Sequence, residues 1–433
     1  MRRAAETRHA RRARATAARP VSGALAGAPG QAPLRPRGSN QVGMRQFNER
    51  VVLQALRLNG PTSKADLARL TNLSTQAVAL IVERLLDDGL VVKRSPLRGR
   101  VGQPSVPLAL DPDGAFSVGV HIGRRRLETV ILDFVGNVRE RSGIAYRYPD
   151  PAAVFAEIGR RLDRIPAALG TARARRLHGV GVAAPLALDR WQALLGVEPA
   201  LAERWAGVEI AAEVRRMTPL PVEFAKDTAA ACVAELVAGR GRSIRSFLYA
   251  FVDTFVGGGL VLDSHLRPGI RGNAGAIGSL PLERAPAGGR PGQLLSEASL
   301  FDLERLLERA GLDPSAAADE RALQDPWRPL AERWVAETAR ALALACADAA
   351  CLLDLEGIIV DGVIARPLLE HLVAAMERAL DDYDWEGVSR PAVLAGTVGA
   401  DARAIGVALL PLYANFAPDS DLFLKVAPGD ERA

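Results

Sequence analysis

Ser74, Thr75, Gln76 and Ala79 are short polar or small residues spaced to share the N-terminal end of one helix. Groups of this kind can enter the major groove of a duplex and meet base edges. Shortly after them, Arg94, Arg98 and Arg100 fall in a loop containing Gly99. Long cationic side chains on such a loop suit the phosphate backbone or the neighbouring minor groove, where the negative potential is strongest. Acidic Glu83, Asp87 and Asp88 lie further along, away from the phosphates. Small helical units also serve as protein-binding modules, and the basic loop is what favours DNA. The remaining reactive types offer less. Cys232, Cys346 and Cys351 form no CxxC pair and lie in apolar surroundings, so they read as small hydrophobes in a reducing cytoplasm rather than as a disulfide framework. His178 and His265 have no carboxylate or nucleophile at a suggestive spacing, and Trp191 and Trp205 read as packing groups.

Presenting the first set of residues requires three helices. Phe47, Val51, Val52, Ala55 and Leu56 recur at helical spacing until Gly60-Pro61. Ser63 can cap a second helix, with the Asp66 carboxylate reaching back, and that helix runs to Leu70. After a turn at Thr71-Asn72-Leu73, a third helix from about Ser74 to Asp88 carries the apolar stripe Val78, Ile81, Val82, Leu85 and Leu86, with Gly89 as its stop. Leu90 to Lys93 and Ser105 to Leu108 read as two short strands flanking the basic loop. The whole predicts a winged helix-turn-helix.

Charge is distributed to match. Residues 1–105 hold 19 Lys and Arg against 6 Asp and Glu, whereas the remaining residues hold 36 against 44. A basic end on an acidic body favours a nucleic-acid-binding module attached to a different kind of domain. Residues 1–38 lack apolar periodicity and predict a disordered tail. The same Arg-rich stretch also fits a transit peptide, or translation upstream of a start at Met44. With 433 residues, 48% of them hydrophobic, the chain is long enough for two or three domains and excludes fibrous and wholly disordered classes. No run of eighteen apolar residues predicts a membrane span.

From about residue 112 the pattern alternates. Strands are expected at Ser117–Gly123, Leu127–Asp133, Val138–Tyr146 and Leu177–Ala184, with a helix near Ala153–Leu169. Val222–Ala225 is a short strand that feeds a helix over Thr228–Ala238. The order then restarts with strands Phe247–Val252 and Gly258–Leu262, helices around Leu294–Arg309 and Pro329–Leu353, and strands at Ile358–Val360 and Ala392–Leu394. A β-β-β-α-β-α order occurring twice predicts two similar α/β lobes with a cleft between them.

Four stretches carry a family resemblance. They are Gly179–Pro185, Pro221-Val222 leading to Lys226-Asp227-Thr228-Ala229-Ala230, Gly257–Gly259, and Gly269–Gly278. With the wing ahead of them, residues 40–420 resemble the ROK family (repressor, open reading frame, kinase), in particular its regulators of the xylose and N-acetylglucosamine repressor type. The resemblance implies an actin-like, two-lobed sugar-kinase fold, a homodimer or higher homo-oligomer bound to paired operator half-sites, and a small-molecule, sugar-like effector. It assigns Asp227, Lys226 and Asn273 to the effector. Asp227 takes the place of the family's catalytic base, although the same carboxylate could simply cap the following helix.

Departures from the family pattern separate regulator from enzyme. Where family kinases carry Asp-x-Gly-x-Thr, this chain reads His121-Ile122-Gly123-Arg124-Arg125. Their second phosphate loop, Gly-Thr-Gly-x-Gly-Gly-Gly, becomes Asp253-Thr254-Phe255-Val256-Gly257-Gly258-Gly259. A carboxylate that repels phosphate and a ring that fills its space predict no useful ATP site. The family's sugar-gripping Glu and zinc His fall on Ala276 and Ser279, and Leu280–Ser299 contains no Cys or His, so neither zinc nor another cofactor is expected.

The expected architecture is a basic disordered tail (1–42), a winged helix-turn-helix (43–111), a first actin-like lobe (112–226, completed by a C-terminal helix at 399–415), a second lobe bearing an oligomerisation surface (227–398), and a tail (416–433). The expected function is a cytoplasmic, sequence-specific transcriptional regulator, a repressor of carbohydrate-related genes, with no enzymatic activity. The alternative is a ROK-type sugar kinase with a DNA-binding appendage.

Overall fold

A computed structural model describes residues 41–95, 106–190, 195–282 and 291–418. Helix α1 (Gln41–Asn59), α2 (Lys64–Thr71) and α3 (Thr75–Asp87) form the first unit. The Ser63 hydroxyl accepts the Asp66 backbone N–H at 3.1 Å and donates to the Asp66 carboxylate at 2.8 Å, which starts α2 where expected. Asn72, at φ 53°, makes the left-handed turn between α2 and α3. The α3 stripe, Val78, Ile81, Val82 and Leu85, is buried against Val52, Leu56 and Leu67. Each side chain buried this way contributes about 1.5–3 kcal/mol over exposure, and the periodicity alone fixes which face turns inward.

The wing strands β1 (Val91–Lys93) and β2 (Leu108–Leu110) pair antiparallel. Strand β2 begins later than the expected Ser105–Leu108. Pro107 has no N–H to donate, and its carbonyl takes the Arg94 N–H at 2.8 Å, so the ladder proper starts after it. Arg98, Arg100 and Ser105 lie outside the described residues.

Two five-stranded sheets follow. The first contains β3 (Phe116–Ile122), β4 (Arg126–Asp133), β5 (Val138–Ala145), β6 (Leu177–Ala184) and β7 (Val222–Lys226), in the order β5-β4-β3-β6-β7. The second contains β8 (Phe247–Val252), β9 (Gly257–Leu262), β10 (His265–Leu266), β11 (Gly357–Gly362) and β12 (Ala392–Ala395), in the order β10-β9-β8-β11-β12. Strand for strand the two orders are the same, with an antiparallel hairpin on one side of the central strand and parallel strands on the other. The doubled pattern in the sequence is thus a doubled lobe.

Helix α4 (Pro151–Leu169) covers the first sheet through Val154, Ile158 and Leu162. Helix α5 (Asp227–Ala238) follows β7 directly. The stretch expected as one helix around Leu294–Arg309 is broken. A short 3-10 turn at Leu294–Ser296 is followed by α6 (Leu300–Arg309), because Ser299 and Asp302 close a capping box that starts a new helix. Helices α7 (Arg328–Leu353) and α8 (Arg366–Leu380) cover the second sheet. On α7, Cys346 is buried but Cys351 is exposed, so the apolar reading holds for the first cysteine only.

The last helix, α9 (Ala402–Phe416), packs on β3, β4, β6 and α5. Its approach is close. A Cβ on Gly181 would stand 1.9 Å from the Val407 carbonyl oxygen, and one on Gly406 would stand 1.8 Å from that of Ala230. At its far end Leu412 joins the core of the winged unit, and Phe416 meets the Phe134 ring edge-on at 4.8 Å. The Arg57 guanidinium of α1 lies over both Phe134, at 5.1 Å, and Tyr413, at 5.8 Å. Arg176 donates to the carbonyls of Gly89 and Gly114 at 3.0 and 3.2 Å. The winged unit is therefore docked on the first lobe and α9 through an apolar seam closed by arginines.

Candidate functional site

On α3 the reading face is available. Ser74 is the helix N-cap, and its hydroxyl accepts the Ala77 N–H at 3.2 Å, so its first task is local. Thr75 and Gln76 are exposed, with side chains that make no hydrogen bond among the described residues, and Ala79 is half-buried beside them. Arg94 is exposed at the end of β1. The structure adds three groups to this face and its surroundings. Leu80 is 58% exposed next to Ala79, an apolar residue off the buried stripe. Lys64 and Lys93 are exposed at the start of α2 and the end of β1. Leu80 was legible as the apolar residue that breaks the stripe's spacing.

Between the lobes, by contrast, several charged groups are engaged within the chain. Asp253, at the end of β8, forms an ion pair with Arg403 of α9. Burial pushes the Asp253 carboxyl up, but the Arg403 guanidinium prevails and holds it below the usual carboxylate range. The guanidinium of Arg403 also lies over the Phe251 ring at 5.0 Å. The expected repulsion of phosphate by a free carboxylate at Asp253 is thus replaced by occupation, with the charge already neutralised inside the chain. Arg124 lies over the Phe255 ring at 5.2 Å and donates to the Ala187 carbonyl at 3.0 Å. Arg125 reaches across to Glu304 of α6 at 2.6 Å. Three contacts therefore tie the second lobe to the first lobe and α9 across the cleft.

His121 is 1% exposed, and neither ring nitrogen has a hydrogen-bond partner among the described residues. Burial above all, and then the Arg403 charge, lower its pKa and keep the ring neutral at pH 7. Its nearest carboxylate oxygen, on Glu128, is 3.7 Å away and is shared with no shorter contact to the ring. Glu128 pairs instead with Arg141 and Arg126 at 3.1 and 3.2 Å.

Asp227 is the first residue of α5, 8% exposed, and its carboxylate accepts the Thr228 N–H at 2.8 Å. This is the local helix-end role weighed against a ligand contact. Lys226 donates to the Gly258 carbonyl at 3.4 Å, and burial lowers its pKa. Thr228 donates to the same carbonyl at 2.8 Å. Asn273 is exposed on the loop whose Gly275 packs against Gly259, and no hydrogen bond or ion pair among the described residues joins it to Lys226 or Asp227. Gly275, with φ 71° and Gly259 backbone 2.7 Å from where its Cβ would stand, is glycine for both reasons. Among the described residues, no group of three or more His, Cys, Asp or Glu is placed to hold a metal. Ala276 and Ser279 offer no ligand where the resemblance puts the family's sugar glutamate and zinc histidine, so the residues present do not fit a zinc site.

Comparison with known proteins identifies both parts. Residues 117–413 match the ROK family, and residues 48–92 match winged helix-turn-helix DNA-binding domains. The chain belongs to the ROK family. Among ROK relatives, the xylose repressor of Bacillus subtilis is 20% identical over 249 residues, which cover 57% of this chain and 63% of that one. This chain thus matches less than two thirds of the repressor's length. A transcriptional regulator of Mycobacterium tuberculosis is 29% identical over 328 residues, covering 72% of this chain and 73% of the regulator. Two solved structures share the fold. A ROK family transcriptional regulator, described as a homologue of the Escherichia coli MLC protein, superposes with a TM-score of 0.63 at 22% identity, over 86% of this chain and 98% of that one. A ROK family glucokinase from Streptomyces griseus, in complex with glucose and AMPPNP, gives 0.52 at 23% identity, over 68% and 99%. The winged helix-turn-helix followed by a two-lobed ROK domain is therefore the architecture of this chain. No described helix is long and apolar enough to cross a membrane.

Proposed function

We propose that this chain is a sequence-specific transcriptional regulator of the xylose repressor type. It acts as a repressor of carbohydrate-related genes in the cytoplasm, binds a double-stranded DNA operator as a homodimer, and turns over no ATP. The observation that carries this reading is the contrast between an α3 face left open to solvent and a nucleotide-binding region filled by the chain's own Asp253–Arg403 pair and Arg124–Phe255 stack. Thr75, Gln76, Ala79 and Ser74 meet bases, and Arg94, Arg98 and Arg100 meet phosphates or the minor groove. An effector enters the cleft near Lys226, Asp227 and Asn273. It acts by preferring one degree of lobe closure, which it can do only through different affinities for the two states.

Genome-wide mapping of sites bound by the full-length protein, followed by anisotropy titration on a recovered site, tests the proposal. A recovered site should bind about 10³-fold or more tighter than a scrambled duplex; equal affinity for the two overturns the reading. Sugar-dependent ATP turnover at ordinary kinase rates, about 1 to 100 per second, would replace it with the kinase reading.

A further inference from the structure

Apart from Leu80, the fold accounts for every large apolar side chain of α3. Val78, Ile81, Val82 and Leu85 are buried in the core of the winged unit, and half-buried Leu86 packs against it. Leu80 is 58% exposed. Isolated exposed leucines are common on protein surfaces, so exposure alone carries nothing and position decides. At about 100° of turn per residue, Leu80 points almost directly away from the buried stripe and falls on one line with Gln76, Glu83 and Asp87, all of them exposed. It lies one turn beyond Gln76, about 6 Å along the helix axis. Glu83 and Asp87 come after it, and phosphate oxygens repel their carboxylates, so Leu80 is the last residue on this line that a duplex can approach closely. Arg84, one turn beyond Leu80, is drawn off to Glu49 of α1 at 3.2 Å. The outward line of α3 therefore offers a duplex one amide and one isobutyl group.

An isobutyl group neither donates nor accepts a hydrogen bond, so it cannot tell base edges apart by their polar pattern. What the major groove offers it is the C5-methyl group of thymine, the apolar feature of the base edges there. Contact between the two removes apolar surface from water and leaves no donor or acceptor unmet. We infer that Leu80 is a specificity-determining residue of the winged unit, which reads a thymine methyl beyond the base pair met by Gln76. The separation of about 6 Å between the two residues exceeds the rise of one base pair, about 3.4 Å, so they meet different pairs. The inference rests on the proposed DNA-binding function and deepens it. It gives the partner a chemical requirement, a C5-methyl pyrimidine at a fixed place in the operator.

Deoxyuridine differs from thymidine only by that methyl group and keeps the same hydrogen-bonding edge, which isolates the contact. Anisotropy titrations of the full-length protein on a recovered operator, with each thymine replaced in turn by deoxyuridine, test the inference. At one position of a half-site the replacement should weaken binding about fourfold, the loss expected for one buried methyl. At that position Leu80→Ala should be indifferent to the replacement, while Leu80→Met, which keeps an apolar tip, should still respond. Both variants should melt with the parent, because the side chain takes no part in the core. No thymine at which the parent loses more than Leu80→Ala does overturns the inference. Equal weakening of Leu80→Ala on operator and scrambled duplex overturns it too, and a lowered melting temperature would place the side chain in the fold instead. Failure of the regulatory reading shows separately. A parent protein that binds recovered and scrambled duplexes alike refutes that reading and this one together, whereas operator-specific binding indifferent to every deoxyuridine refutes the leucine contact alone.

Discussion

The helix α3 face and the cleft between the lobes hold polar residues in opposite states. On α3, Thr75 and Gln76 are exposed with no hydrogen-bond partner among the described residues, while the cleft ties Asp253 to Arg403, Arg125 to Glu304 and Arg124 to Phe255. The difference teaches where recognition remains possible. A group whose hydrogen bonds are unspent can read another molecule, whereas a group already satisfied within the chain serves stability and must be displaced before it can bind anything. Substitutions in the cleft should therefore register mainly as stability, and those on α3 mainly as binding.

The largest effect is expected from Arg403→Ala, which strands the Asp253 carboxylate in a mostly buried place. Chemical denaturation should show a loss of about 3–5 kcal/mol, with most of it recovered when Asp253→Asn is combined with Arg403→Met. A loss confined to DNA affinity, with stability intact, would break the contrast. Next comes Gln76→Ala. Its melting temperature should match the parent, while discrimination at one base position falls by about 1–3 kcal/mol in competition binding. Uniform weakening on every sequence would instead make Gln76 a backbone contact. Replacing Arg98 and Arg100 together by Ala should make the salt dependence of binding shallower by about 2 in log–log slope, at unaltered sequence preference. A parallel slope would remove the wing from the docking.

The smallest effect concerns Asp302, whose capping role in α6 comes with burial that raises its carboxyl from 3.8 to about 6, despite the Ser299 N–H and Arg305. The folded chain thus holds this proton more tightly than the unfolded one. As pH rises from 3.8 to about 6 the unfolded state sheds the proton first, so the residue costs stability progressively over that window and in full above it. Asp302→Asn should flatten this part of the stability profile, and superposable profiles would show that the carboxyl is solvated after all. It also sharpens the contrast, since a polar group kept inside reports on folding alone.

How much of this was legible in the sequence depended on separation along the chain. The α3 stripe, the Ser63–Asp66 cap and the doubled strand order rest on neighbours, and local periodicity carries that information. Strand β2 was displaced because the expected strand ran through Pro107, whose missing N–H makes the ladder begin after it, and the break at Ser299 was missed because apolar spacing continues through it. The residue types at His121 and Asp253 could be read directly, but not the partners they meet. Arg403 lies 150 residues from Asp253, and Glu304 lies 179 from Arg125, so the partners that turn a lone charge into a clamp are set by the fold alone.

Helix α9 has a consequence for biosynthesis. The Ala417 carbonyl that closes on Arg50 of the winged unit lies 367 residues downstream of it. At ordinary translation speeds of 5–20 residues per second, the nascent unit must wait roughly 20 to 70 s for its brace to emerge. Through that interval the Phe134 and Arg57 surfaces face solvent or a chaperone, which makes the seam, rather than either unit's interior, the place where a slow or interrupted ribosome would do harm.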